Sequence, residues 1–390
     1  MREVVIIGVG MHPFGRWGTK TDVEMGVEAT KKAIKDANIR WRDIQAAAVG
    51  KVRPGLSDGN VIWKLGGPDG IPIVNVENAC ATAGSAFRLA CQWVAGGFYD
   101  VCCAVGIDKM PRHFITQFSD TEDEDFWRFR LIGLTNPSYW AMDCNRYAHK
   151  HGISFEQMTD ALVEVSVKNK RHGAMNPNAY FQKETTPEEV LKSPMVAYPL
   201  RQFMICTPDE GAAAAIVTTK EMAKKLGIKK PISVAGFQLG STVFGAPSAE
   251  VVDMAFQPKG DAPTVTAHTA KRAFKQAGMG PKDIDMVELQ DTCAWNEIEY
   301  FEDMGFCKPG EAPSLIKKGE TAIGGKIPVN PDGGLLCKGE PPGASQLGQI
   351  HEIVLQLRGE AGPRQIEKAR TGLCHVYGGQ GNASVVILKA

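Results

Sequence analysis

The sequence predicts an α/β protein made of two similar halves, with an inserted loop domain between them. Three observations carry this expectation. Beta-branched runs alternate along the chain with amphipathic helical patterns, the order expected of mixed or parallel sheets covered by helices. The runs are near-continuously apolar, as strands buried on both faces are. One stretch of the first half also recurs in the second: residues 29–45 read ATKKAIKDANIRWRDIQ and residues 269–285 read TAKRAFKQAGMGPKDID. At a constant offset Lys31 meets Lys271, Ala33 meets Ala273, Lys35 meets Lys275 and Ala37 meets Ala277, and Asp43-Ile44 then meets Asp283-Ile284. Each copy is an amphipathic helix, a short turn and an apolar strand, which is a duplicated domain rather than a short-period solenoid.

The elements follow in order. VVIIGV opens as a core strand, because it is too short for a signal sequence and runs straight into His12, Arg16 and Lys20. A helix ends near Asn38, AAAVG and IPIVNV are strands, a helix opens at Cys80, and VCCAVGI is the next strand. In the second half PISVAGF is a strand, a helix starts near Thr266, MVELQ is a strand, a helix starts near Ala344, and TGLCHV and SVVIL close the chain. The N-terminal half is expected to comprise residues 1–111 and 201–230, and the C-terminal half residues 231–390. Between them, residues 112–200 are unduplicated and rich in aromatics, charge and turn residues (SDTEDEDFWRFR, NPNAYFQKETTPEE), as expected of a lid or substrate-binding loop domain.

Composition narrows the function. The 390 residues are 43% hydrophobic and 23% charged, enough to form sizeable cores in two or three units. Lys+Arg and Asp+Glu balance at 44 each, so no net field favours nucleic acid or an anionic membrane. No apolar run approaches the roughly 20 residues that span a bilayer, and VVILKA carries no ER or peroxisomal address; a cytoplasmic protein is expected. The opening GVGMHPFG lacks a dinucleotide fingerprint, so no NAD is expected. The ten cysteines contain no CxxC pair, which argues against a zinc ribbon or redox dithiol in this chain, and no metal is expected. Most are expected to be small buried hydrophobes. Cys80 stands apart. It sits in ENACATAGSAF, between a strand and a helix, where unpaired backbone N–H groups favour a thiolate and small neighbours admit a bulky thioester.

The loop Asn78-Ala79-Cys80-Ala81-Thr82, HGAMNPNAYF, YPLRQFMICTPDEGAAA and the NPDGG…GEPPGA run of residues 330–344 resemble, in order, the signatures of the thiolase family. The sterol-carrier-protein-like and archaeal types are the most similar. The resemblance covers essentially the whole chain. It implies a five-layer αβαβα thiolase fold, acyl-CoA substrates, coenzyme A as co-substrate with no tightly bound cofactor, and an acyl group carried on Cys80. It also implies a homodimer or tetramer, and in several relatives a small OB-fold, zinc-ribbon partner protein.

The three partner loops depart from the ordinary pattern. The family's GHP loop reads Gly339-Glu340-Pro341 here, so Glu340 is a candidate general base if burial raises its pKa, with His375 as the other candidate. Where the family offers Asn-Glu or His-Asp, this chain has Gln290-Asp291, and Gln290 is the expected oxyanion donor. Asn296-Glu297 is out of register with that motif and reads as a helix start. Aligned on its glycines, LCHVYGGQG puts His375 where the family has a second cysteine, an acid/base for the thiol or enolate; a one-residue shift would put Cys374 there. Lys168, Lys170, Arg171 and Phe181 are candidates for holding coenzyme A, and Arg128, Arg130 or Lys338 for a substrate carboxylate.

Three functions compete. The first is thiolytic cleavage of a 3-oxoacyl-CoA, branched or aryl and of the benzoylsuccinyl-CoA type. The second is retro-aldol cleavage of a 3-hydroxyacyl-CoA, with Tyr377 as a phenolic acid/base. The third is a non-catalytic acyl-CoA-binding subunit. The complete Cys80 loop favours the first.

Overall fold

The computed structural model describes residues 2–52, 58–67, 69–111, 135–243, 262–379 and 381–390. The first half runs β1 (Val4–Gly15), α1 (Asp22–Ala37), β2 (Ala46–Gly50), α2 (Asp58–Gly66), β3 (Ile73–Val76), α3 (Thr82–Gly96) and β4 (Val101–Lys109). The described part of the insertion contains α4 (Asn136–His151), α5 (Phe155–Ala174), α6 (Pro187–Lys192) and the hairpin β5 (Met195–Ala197) and β6 (Leu200–Arg201). Then come β7 (Glu210–Thr219), α7 (Lys220–Lys225), β8 (Ile232–Ser241), α8 (Val265–Ala277), β9 (Met286–Glu288), α9 (Ala294–Asp303) and α10 (Ala312–Lys317). The chain ends with α11 (Gly334–Cys337), α12 (Ser345–Arg358), β10 (Thr371–Gly378) and β11 (Asn382–Lys389).

The duplication is visible in the strand order, β3-β2-β4-β7-β1-β8-β11-β10-β9. From the centre outward the first half reads β1, β7, β4, β2 and the second β8, β11, β10, β9. Within the sheet and among the described residues, the halves pair antiparallel at Val5 with Ser233 and Ile6 with Ile232. The repeated Asp-Ile has a physical reason. Asp43 and Asp283 each accept the backbone N–H three residues back, Arg40 and Gly280, both at 2.8 Å. Each closes a short 3-10 turn, and Ile44 and Ile284 then enter the core.

Alternation of side chains sorts the core into three. Val5, Ile7, Ala47 and Val49 pack under α1 with Ala29 and Ala33. Val4, Ile6, Cys102, Val234, Cys374 and Val386, from both halves, enclose Phe87 and Ala90 of α3 with Leu347 and Ile350 of α12. Leu373, Val385 and Ile387 face α8, α9 and the insertion helix α5. Helices therefore lie outside each half and between them, which is a five-layer αβαβα stack. The sequence reading assigned no strand to GAAAAIV, whose alanines are poor strand formers; between β1 and β4 it forms β7, completely buried.

If the two Asp-Ile turns are equivalent, Asp43→Ala and Asp283→Ala each lose a turn-closing acceptor, a cost of about 1 kcal/mol. Urea unfolding should show two similar downward shifts in midpoint.

Candidate active site

Cys80 sits in a loop that bonds to itself between β3 and α3. Asn78 N–H donates to Thr82 Oγ1 at 2.7 Å, Ala79 N–H to Glu77 Oε1 at 2.7 Å, and Asn78 Nδ2 to Ser85 Oγ at 3.1 Å. Ala81 N–H and Thr82 N–H close back on Asn78 and Ala79 carbonyls, each at 3.0 Å. This forces Ala79 into the left-handed region, φ 45°, an uncommon conformation for a residue with a Cβ, and it sits immediately before the thiol.

The thiol meets Glu340. Gly339 makes the approach possible: its φ is 109°, and a Cβ there would stand 1.8 Å from Asp209 Oδ2. Segment 207–209 fixes Glu340 on its other side. Glu340 N–H donates to Thr207 O at 3.3 Å and Asp209 N–H to Glu340 O at 3.2 Å. The buried Glu340 carboxylate then takes three side-chain partners. Gln290 Nε2 donates to Oε1 at 2.9 Å, Cys206 Sγ to Oε2 at 2.7 Å, and the Cys80 thiol donates as well.

Burial and these donors oppose each other. Burial raises the Glu340 pKa and the three hydrogen bonds lower it, leaving it at about 7. Cys80 is pushed well above its ordinary range, first by burial and then by the Glu340 carboxylate, against a Gly379 backbone hydrogen bond that lowers it. This differs from the expectation of a helix-stabilised thiolate. Cys80 precedes the Ala81 cap, two residues before the first helical residue, and the neighbouring carboxylate outweighs the helix end. The resting thiol is neutral, with a base on it.

The glycine loop after β10 reaches the site by backbone. A Cβ on Gly378 would lie 2.9 Å from Asn78 O, and Gly379 bonds Cys80. His375 lies elsewhere: its Nε2 is 3.1 Å from Thr266 Oγ1, its ring packs edge-on to Tyr300, and burial drops its pKa to about 3. Cys374 faces the opposite way, takes a 3.8 Å contact from Gln346 Nε2, and is pushed up to about 12 by burial. Neither side chain bonds Cys80 or Glu340. Gln290, the expected oxyanion donor, directs one amide N–H to Glu340.

Lys168 is buried, paired to Glu297 Oε1 at 2.9 Å and donating to Val329 O at 2.9 Å, so its charge is spent inside the protein. Lys170 lies 3.7 Å over the Phe181 ring, and Arg171 is exposed. Lys338 is buried against Asp332 and is not free for a substrate carboxylate. Arg128 and Arg130 lie outside the described residues. Asn296-Glu297 does open α9, while Asp291 accepts the Leu335 N–H of α11 at 2.6 Å.

The sequence reading missed two neighbours of Glu340. Cys206 lies within YPLRQFMICTPDEGAAA, and nothing in that segment separates it from the other buried cysteines. Asp209, from the same segment, is fully buried, and neither carboxylate oxygen has a hydrogen-bond partner among the described residues. Burial pushes its pKa well up, opposed first by the Arg16 charge. Among the described residues no group of three or more His, Cys, Asp or Glu is arranged to hold a metal.

Comparison with known proteins identifies the class. The family model for the thiolase N-terminal domain matches residues 4–221, and that for the thiolase C-terminal domain-like region matches 252–390. The chain belongs to the thiolase family, and it is an acyltransferase of that family. It is 37% identical to an acetyl-CoA acetyltransferase of Methanothermobacter thermautotrophicus over 99% of both chains. It is also 37% identical to the benzoylsuccinyl-CoA thiolase subunit BbsB of Thauera aromatica, over 97% of this chain and 95% of that one. Rabbit (Oryctolagus cuniculus) sterol carrier protein 2 is 33% identical over 99% of this chain and 72% of its own. A solved structure described as an Ltp2-ChsH2(DUF35) aldolase shares the fold, with a TM-score of 0.84 at 23% identity, covering 100% of this chain and 98% of that one. No helix among the described residues is long and apolar enough to cross a membrane.

Because Lys338 neutralises Asp332 in the interior, Lys338→Met should cost about 3–5 kcal/mol by stranding a buried carboxylate. A thermal melt should show a large loss of stability, and the double variant Lys338→Met/Asp332→Leu should recover part of it.

Proposed function

We propose that this thiolase cleaves a 3-oxoacyl-CoA with coenzyme A through an acyl group on Cys80, with Glu340 as the single general base. The observation that carries the reading is the hydrogen bond between a neutral Cys80 thiol and a buried carboxylate of pKa about 7. A base poised near neutrality suits proton transfer at working pH. Glu340 takes the Cys80 proton as sulfur attacks the keto carbon. The Cα–Cβ bond breaks, its electron pair passes to Cα as an enolate, and Glu340 returns the proton there. The coenzyme A thiol then gives its proton to Glu340 as its sulfur attacks the thioester, and Cys80 leaves and is reprotonated. Gly379, whose backbone bonds Cys80, is the donor we assign to the oxygen on the carbon that sulfur attacks.

The substrate is read as branched or aryl. Loss of the family histidine supports this, as does the similarity to a benzoylsuccinyl-CoA thiolase subunit. Lys170, Arg171 and Phe181 remain the candidates for coenzyme A; Lys168 does not. A small OB-fold, zinc-ribbon partner fits a relative named as a subunit and a fold neighbour described with DUF35. A homodimer through β3 is supported by the contrast between the sheet's two edges. β9 is covered, with Val287 N–H on Pro328 O at 2.9 Å, whereas among the described residues β3 ends the sheet with no strand beyond it and Val74 is 39% exposed.

Mixing the protein with 3-oxoacyl-CoAs in the absence of free coenzyme A, with and without the partner, should yield an acyl adduct by intact mass spectrometry. That adduct should be absent in Cys80→Ser and discharged by coenzyme A. No adduct, together with cleavage of 3-hydroxyacyl-CoAs, would replace this reading with a retro-aldolase. Since Glu340 must be ionised to accept the proton, acylation should rise with pH up to about 7 and level off above it. Glu340→Gln should lower the rate by about 10²–10⁴-fold and abolish that inflection. Val74→Arg should shift the sedimentation profile toward monomer.

A further inference from the structure

The other thiol on Glu340 has no part in the reaction as written. Cys206 is buried, and its Sγ approaches Oε2 at 2.7 Å while Gln290 takes Oε1. Its backbone is gripped from two sides. Cys206 N–H donates to Thr292 O at 2.9 Å and Ile205 bridges Cys293, which ties it to the loop bearing Gln290. Thr207 O and Asp209 N–H hold the backbone of Glu340 itself, and Pro208 bridges Glu340. With its backbone held, the Cys206 thiol is directed at the carboxylate.

We propose that Cys206 is a positioning residue for the Glu340 base: with Gln290 on the opposite oxygen, it clamps the carboxylate in the plane from which it meets Cys80. The inference rests on Glu340 serving Cys80 as base. A carboxylate in an apolar interior has a strong drive to protonate. Each donor that favours its charged form counters that drive, and donors to charged acceptors do so more than neutral pairs. Removing the Cys206 donor leaves burial less opposed. The other titratable groups facing this pair are Cys80, Asp209, Asp291 and Cys293. Burial is the largest influence on each of them and pushes each upward.

The test needs no knowledge of the acyl chain. The rate of Cys80 carbamidomethylation by iodoacetamide is followed by peptide mass spectrometry across the neutral pH range in wild type, Cys206→Ala, Cys206→Ser and Glu340→Gln. Wild type should show an inflection near 7 that Glu340→Gln removes. Cys206→Ala should move it upward by about one pH unit, while Cys206→Ser, which keeps a donor, should return it to within a few tenths. An inflection unmoved in Cys206→Ala, with only a lower unfolding midpoint, would reduce Cys206 to packing and overturn the inference while leaving Glu340 as base. A wild-type profile unchanged by Glu340→Gln would overturn both.

Discussion

A single carboxylate, placed where water does not reach it, organises this site. Glu340 is held by two thiols and one amide, and the balance between burial and those three donors sets its pKa at about 7. A bare buried carboxylate would be protonated and inert, and a solvated one would be too weak a base for a thiol. Much of the surrounding architecture preserves this balance. The left-handed Ala79 turns Cys80 toward it, the missing side chain of Gly339 lets it approach segment 207–209, and β7 anchors that segment in the middle of the sheet.

The interior around it carries more charge than a core ordinarily holds. Lys338, two residues from Glu340, pairs with Asp332, while Glu352 pairs with Arg364 at 2.8 Å and Lys168 with Glu297 at 2.9 Å. Buried pairs of this sort contribute little net stability but are costly to break. Their effect here is to tie the insertion helix α5 to α9 and to brace the α11 turn and the end of α12.

The sequence made the fold largely legible because the duplication left a repeated physical device. Asp43-Ile44 and Asp283-Ile284 are matching turn closures, and the apolar runs around them are strands with both faces covered. The Cys80 loop and the Glu340 loop that meets it were legible as well, since each lies in a contiguous motif. His375 was harder. Glycine spacing fixes where a loop passes but not which face of β10 a residue takes, and one step along a strand reverses the side chain. Cys374 enters the core between the halves, His375 enters the α8–α9 side, and the glycines alone reach Cys80. Cys206 and Asp209 were missed because nothing in one segment's composition reveals which distant loop it will clamp. Lys168 was misjudged because its partner Glu297 is far away in sequence.

The most direct test of Glu340 as a base poised by its surroundings is its ionisation in the resting protein. Infrared difference spectra between wild type and Glu340→Gln, collected as a function of pH, isolate that carboxyl. The account predicts a protonated-carboxyl C=O band that disappears with a midpoint near 7. A band already lost near the ordinary glutamate value of about 4.3 would mean that Glu340 is a permanently charged group, and the base assigned to Cys80 would have to be sought elsewhere.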